Sequence, residues 1–201
     1  SIEKLKEIWN SLGNIRFLAS SRIGLITPRK DCGVIFDFAT HDIDISCYLL
    51  GQMPKEVFAI SNKYNDKGFE DVAFINLYFK KEITANIAVS WLSPKKIREL
   101  LVVGDKKSAK IDYMQQGLTV FNKTIKPSAD SFGTFKLLKR EGNEFKPYIK
   151  NEEPLKKELT HFVDCILNKR NPIIDGADAL KTTKILEAAH LSIREKRSVK
   201  L

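Results

Sequence analysis

A chain of 201 residues with 43% hydrophobic content can bury a core as one domain or one and a half, which excludes a disordered polymer. No apolar run approaches membrane-spanning length and no signal peptide is read. Three scattered cysteines (Cys32, Cys47, Cys165) give neither a disulfide framework nor a zinc pattern, so a reducing cytoplasm is expected. The net charge of +9 raises nucleic acid as a partner. The lysines, however, are scattered in pairs, as at Lys80-Lys81, Lys95-Lys96, Lys106-Lys107 and Lys156-Lys157. No basic helix, zinc finger or ribonucleoprotein sequence accompanies them, so they read as solvated surface.

In chain order, Ile2, Leu5, Ile8, Trp9 and Leu12 fall at helical spacing, and Gly13 stops that helix. Asn14 to Arg22 reads as a strand with Ile15, Phe17 and Ala19 on one face. A loop from Gly24 to Cys32 follows, carrying Pro28, Arg29, Lys30 and Asp31. A helix is predicted from Gly33 to Leu50, with Gly51 as its left-handed stop.

After Gly51 the pattern turns to strands: Val57 to Ser61, Val72 to Phe79, Ile83 to Trp91, Arg98 to Val103, Ala109 to Tyr113, Leu118 to Asn122 and Thr134 to Lys139. Lys80-Lys81-Glu82 reads as a hairpin tip. Short connections between successive strands require mostly antiparallel pairing. Glu152-Glu153-Pro154 then starts a helix whose apolar face is Leu155, Leu159, Phe162, Val163, Ile166 and Leu167. Asn171-Pro172 breaks it, and Asp175 caps a last helix. The expected fold is α+β: a large, mostly antiparallel sheet with helices packed on one face.

The Gly33–Gly51 stretch carries the chemistry. On a regular helix Asp37, His41, Asp44 and Tyr48 fall at i, i+4, i+7 and i+11, one stripe on a rod that is otherwise apolar and therefore buried. A polar stripe on such a rod must face a partner, a cleft or a substrate. An imidazole with an ordinary pKa of about 6.5 suits proton transfer at neutral pH. Asp42 lies off the stripe and is expected to cap or pair elsewhere. His161 and His190 read as structural or exposed. The chain has no Gly-x-Gly pair, hence no dinucleotide fingerprint or phosphate loop, and no Gly-x-Ser-x-Gly or His-Glu-x-x-His.

The pattern Gly33-x-x-x-Asp37-x-x-x-His41-x-x-Asp44 resembles the C-terminal domain of the glucose–fructose oxidoreductase/inositol dehydrogenase (Gfo/Idh/MocA) family. Trp91, Lys96, Arg98, Val102-Val103-Gly104 and Asp112 look like that family's sheet, and Asp175-Gly176 through Ser192 to Val199 look like its final helix. Ser21-Arg22-Ile23-Gly24 and Pro28-Arg29 are similar to its UDP-N-acetylglucosamine 3-dehydrogenase-like branch, although Leu25 stands where that branch commonly has proline.

The resemblance implies the substrate half of a two-domain sugar or sugar-nucleotide dehydrogenase, inactive alone. NAD or NADP would be bound mainly by an N-terminal Rossmann domain that these residues do not contain. Ser1 in place of Met fits a cut or processed beginning. His41 would accept the substrate's proton and Asp37 would hold its hydroxyl. Asp44 would orient the ring, or make a hydrogen bond within the helix. Arg22 and Arg29 are candidates for substrate phosphates, or for a surface or Asp31-paired role. Trp91 either lines the cleft or sits in the core. The open sheet face would bury itself against further copies of the chain.

Other readings are a non-catalytic sugar-binding or assembly module, a metal-dependent hydrolase using Asp37 and His41, and a nucleic-acid binder. A metal site normally needs three or more protein ligands, which disfavours the second.

Overall fold

The computed structural model describes residues 1–65, 68–122, 124–129, 135–140, 142–150 and 152–201. It opens with α1 (Ile2–Glu7), a 3-10 turn at Trp9–Leu12 and β1 (Ile15–Leu25). A π turn at Ile35–Ala39 runs into α2 (Thr40–Leu50). The strands β2 (Glu56–Asn62), β3 (Val72–Tyr78), β4 (Thr84–Ser90), β5 (Leu92–Gly104), β6 (Ser108–Asp112) and β7 (Gly117–Phe121) follow. After them come β8 (Thr124–Ala129), β9 (Phe135–Arg140) and β10 (Glu144–Phe145). Helices α3 (Pro154–Leu167) and α4 (Gly176–Glu195) and the short β11 (Val199–Lys200) complete the chain.

Nine strands form one sheet in the order β10-β7-β6-β5-β1-β4-β3-β2-β11. Of the pairings in this sheet, β1 with β4 is parallel and the others are antiparallel. The parallel pair is possible because the chain between its strands is long and contains α2. β8 and β9 pair separately as a hairpin, of which the strand expected at Thr134 to Lys139 is one arm; Thr134 itself lies outside the described residues. The α+β class with helices on one face therefore holds.

Alternation decides which face is covered. Ala73, Ile75 and Leu77 of β3, Ala85, Ile87 and Val89 of β4, and Leu100 and Val102 of β5 are buried under the helices. Each fully buried Leu or Ile contributes roughly 1.5–3 kcal/mol. On β1 the covered residues are Leu18, Ser20 and Arg22, so Phe17 belongs to the opposite face, where Ile60, Phe74 and Tyr78 are also exposed.

The first helix is shorter than its periodicity suggests. Regular α structure stops at Glu7 and the chain tightens to a 3-10 turn before Gly13 at φ 80°. Lys6 explains the docking of this segment: its Nζ donates to the carbonyls of Tyr48 (2.8 Å) and Leu49 (2.9 Å), capping the end of α2. Gly51 adopts the expected left-handed stop at φ 65°.

Candidate active site

The helix read as one rod is two segments. In the π turn at Ile35–Ala39 the backbone bonds span i to i+5, and α-helical spacing resumes only from Thr40. Thr40 Oγ1 donates to the Phe36 carbonyl at 2.6 Å, supplying a side-chain donor at the widened turn. The single stripe of Asp37, His41, Asp44 and Tyr48 is thus corrected: Asp37 lies before the change of pitch and the other three after it.

The start of the π turn is held by acid. Glu70, buried, accepts from Ile35 N–H through Oε1 at 3.2 Å, and its carbonyl accepts from Val34 N–H at 3.0 Å. Gly33 leaves room for that carboxylate: a Cβ there would fall 2.1 Å from Glu70 Oε1 and would have to push it off the Ile35 N–H. At the start of α4 the Asp175 carboxylate likewise accepts from Ala177 and Asp178 N–H, as expected of that cap. These two helix N-termini are therefore occupied by carboxylates and do not offer a seat for a dinucleotide pyrophosphate.

Asp37 is fixed from below. Its Oδ2 accepts from Trp91 Nε1–H at 3.0 Å, and its Oδ1 lies 3.6 Å from Arg29 Nη1. Trp91 is 1% exposed, its own N–H donates to the Asp71 carbonyl, and its carbonyl accepts from Ile26 N–H. The cleft-lining reading of Trp91 is therefore corrected. It touches the site only through Asp37, because its ring is sealed in the core.

His41 is exposed, and its ring makes no hydrogen bond among the described residues. Burial of its inner edge, then the positive charges of Arg22 and Arg98, hold its pKa below the ordinary 6.5; Asp42 and Asp37 oppose them. The imidazole is consequently neutral at neutral pH, the form that can accept a proton. Asp37 and His41 meet through charge, not through a hydrogen bond.

Arg22 is also corrected. It is buried, its Nε donates to Asp42 Oδ2 at 2.7 Å and its Nη2 to Asp42 Oδ1 at 3.3 Å, and its guanidinium lies 5.3 Å from the Tyr113 ring centroid. Ser20 Oγ donates to Asp42 Oδ1 at 2.6 Å. A guanidinium committed in this way to a buried carboxylate is not placed to receive substrate phosphate. Asp42, off the stripe, does pair elsewhere.

Arg29 stays at the surface, where its Nε and Nη2 form a fork on Asp31 at 2.9 and 2.6 Å while Nη1 turns toward Asp37. The Asp31-paired geometry is present, at the rim of the site. Asp44 Oδ1 accepts from Thr182 Oγ1 at 3.3 Å, so its hydrogen bond runs between α2 and α4 and not within one helix. Burial, with Asp178 adding, raises the Asp44 pKa against the opposing Thr182 bond and the His41 charge.

Sequence reasoning missed Arg98 as a site residue. It lies directly opposite Arg22 on β5, half-buried, with its guanidinium 5.1 Å from the Phe38 ring centroid and no carboxylate at ion-pair distance among the described residues. A signal existed: Arg98 shares a face with Leu100 and Val102, and a cation at an inward strand position calls for a reason. His161 accepts from Ile173 N–H through Nε2 at 3.1 Å and His190 stacks on Phe36, both structural placements. Cys165 Sγ lies 3.5 Å from His161 Nε2, but that nitrogen is already used by Ile173. Cys32, Cys47 and Cys165 are free thiols, and no described helix is long and apolar enough to cross a membrane.

Residues 23–201 match the family model described as "Oxidoreductase family, C-terminal alpha/beta domain". D-apiose dehydrogenase from Paraburkholderia graminis is 25% identical over 185 residues, covering 86% of this chain and 46% of the relative. Among solved structures, aldose-aldose oxidoreductase from Caulobacter crescentus superposes with a TM-score of 0.80 at 24% identity, covering 100% of this chain and 60% of that one. UDP-N-acetylglucosamine 3-dehydrogenase from Acidithiobacillus ferrooxidans does so with a TM-score of 0.78 at 19% identity, covering 96% and 58%. At these identities the two structures speak for the fold. The chain spans about half the length of the curated relatives it matches over most of its own. With the sheet, the covering helices and the family model agreeing over residues 23–201, the chain belongs to the Gfo/Idh/MocA oxidoreductase family, as its C-terminal α/β domain.

Proposed function

We propose that this chain is the substrate-holding half of an NAD(P)-dependent oxidoreductase that oxidises a hydroxyl of a sugar or sugar nucleotide. The observation that carries the reading is the exposed imidazole of His41 in the field of a carboxylate, Asp37, that the indole N–H of Trp91 holds in place. The names of the relatives, which include D-apiose and myo-inositol 2-dehydrogenases and UDP-N-acetylglucosamine 3-dehydrogenase, supply the substrate class.

The cofactor would supply the hydride acceptor, and its pyrophosphate belongs to a Rossmann half outside these residues. What this chain does is manage the substrate and the proton. Asp37 accepts a hydrogen bond from the reacting or adjacent hydroxyl through Oδ1. As the carbon loses hydride, its hydroxyl proton passes to His41 and the alcohol becomes a carbonyl. Burial first, then the charges of Arg22 and Arg98, disfavours the imidazolium beforehand; Asp42 and Asp37 offset part of that once the proton has arrived. Arg98 and Arg29, rather than Arg22, are the guanidinium groups available to a phosphate of the substrate. The exposed sheet face around Ile60, Phe74 and Tyr78 is the surface through which copies of the chain would associate.

The test is His41→Ala in the protein carrying its nucleotide-binding half. Oxidation of the sugar substrate should fall by about 10²–10⁴-fold, the usual contribution of a general base, with NAD(P) affinity unchanged. Near-normal turnover removes His41 from the mechanism.

A further inference from the structure

A ring of hydrogen bonds runs from the start of the π turn to the Asp37 carboxylate. Glu70 takes Val34 N–H on its carbonyl at 3.0 Å and Ile35 N–H on Oε1 at 3.2 Å. The next residue, Asp71, takes Trp91 N–H on its own carbonyl at 3.0 Å. The Trp91 indole N–H then donates to Asp37 Oδ2 at 3.0 Å, and Asp37 follows Ile35 in the same turn, which closes the ring. One dipeptide, Glu70-Asp71, therefore holds both the turn that carries Asp37 and the tryptophan that grips it. Glu70, Asp71 and Trp91 are 6%, 1% and 1% exposed, so most of the ring is buried.

Each part of the ring bears on where Asp37 stands. On a regular helix Asp37 and His41, four residues apart, would lie one above the other. The π turn takes Asp37 off that line and delivers Oδ2 to Trp91, leaving Oδ1 toward Arg29 at the rim. π spacing is rare and asks for partners from outside the helix. Thr40 Oγ1 serves the Phe36 carbonyl at the far end of the turn, and Glu70 serves Val34 and Ile35 at its beginning. A residue that only filled the space under the turn would be apolar, since a buried carboxylate is costly unless its oxygens are used. Glu70 Oε1 is used on the turn, and Gly33 leaves it the room.

We propose that Glu70 is a positioning residue for Asp37. Its carboxylate fixes the beginning of the π turn, and the ring through Asp71 and Trp91 carries that placement to the Asp37 carboxylate. Glu70 itself is buried and acts through Asp37. The consequence for oxidation rests on the function proposed above; the placement of Asp37 rests on the ring alone.

The test reads the Trp91 indole N–H by NMR in the 201-residue chain, with Trp9, the other tryptophan, as the internal control. Glu70→Ala removes the acceptor. Gly33→Ala reaches the same contact from the other side, by displacing Oε1, and either variant decides alone if the other does not fold. Both should move the Trp91 indole resonance upfield and speed its exchange with solvent by about tenfold or more, with Trp9 unmoved. Glu70→Gln keeps a carbonyl oxygen for the Ile35 N–H and should restore both. A Trp91 indole that stays in place overturns the proposal, and so does one that moves together with Trp9, or that Glu70→Gln leaves as displaced as Glu70→Ala. Turnover is then measured in the chain joined to the proposed nucleotide-binding half, with D-apiose, myo-inositol and UDP-N-acetylglucosamine as probes. There Glu70→Ala should lower kcat by up to about 10²-fold and Glu70→Gln should not. An indole that moves in a protein whose turnover survives Asp37→Ala upholds the placement and overturns the functional reading.

Discussion

Replacing Asp42 by alanine removes one half of an ion pair whose side chains are 8% (Arg22) and 1% (Asp42) exposed. Three hydrogen bonds end on that carboxylate, two from Arg22 and one from Ser20. The loss strands a guanidinium between β1 and the Tyr113 ring with no other carboxylate at ion-pair distance among the described residues. Breaking such a pair costs about 3–5 kcal/mol, most of it the uncompensated buried charge. With a urea slope of roughly 2 kcal/mol/M, the unfolding midpoint should fall by about 1.5–2.5 M. The assay is urea unfolding of the 201-residue chain followed by tryptophan fluorescence. Asp42→Asn, which keeps the shape, serves if the alanine variant does not fold. Asp31→Ala is the matched control: its pair with Arg29 is 52% and 65% exposed, so solvent screens it and its loss should barely move the midpoint. Replacing both partners, Arg22→Met with Asp42→Leu, should recover most of the loss. A midpoint shift for Asp42→Ala no larger than that of Asp31→Ala would refute the buried-pair reasoning.

Burial pushes the Cys47 thiol up to about 12, with Asp44 adding to the shift. Cys47 should therefore resist a thiolate-specific reagent at pH 8 in the folded chain and react once the chain is unfolded; labelling followed by mass spectrometry checks this, and fast native labelling of Cys47 contradicts it. The proposed association through the exposed sheet face predicts an oligomer by sedimentation that Phe74→Asp dissociates without changing the circular dichroism spectrum; a monomeric parent chain contradicts it. An unchanged oligomer would place association elsewhere.

Much of the architecture was legible because local chemistry and the tertiary fold agree. Gly51 stops α2 in the left-handed conformation, Asp175 and Asp178 form a capping box, and the strand meander follows its two-residue alternation. His41 and Asp37 were legible as polar residues on an apolar helix. The π turn was not, since periodicity arguments assume one pitch and nothing in Ile35–Ala39 marks a change. The roles of Arg22 and Trp91 were hidden for a related reason. Alternation along β1 shows that Arg22 and Ser20 share a face, but not that Asp42 arrives over them from α2. An aromatic in a strand reads as core, and only the fold shows its indole N–H ending on Asp37. The amphipathic face of α3 was read correctly as apolar, and the residues that form it are exposed.

The role proposed for His41 is tested by following its ring by NMR in this chain joined to the proposed nucleotide-binding half, alongside the acid limb of kcat/KM. A neutral imidazole is the active form, so the rate should fall as pH drops through the His41 pKa. Because burial and the charges of Arg22 and Arg98 lower that pKa, the limb should lie below 6.5. Arg98→Gln removes a neighbouring positive charge and should move both the ring titration and the limb upward together. A limb that stays in place while the His41 titration moves would contradict the assignment of His41 as the proton acceptor.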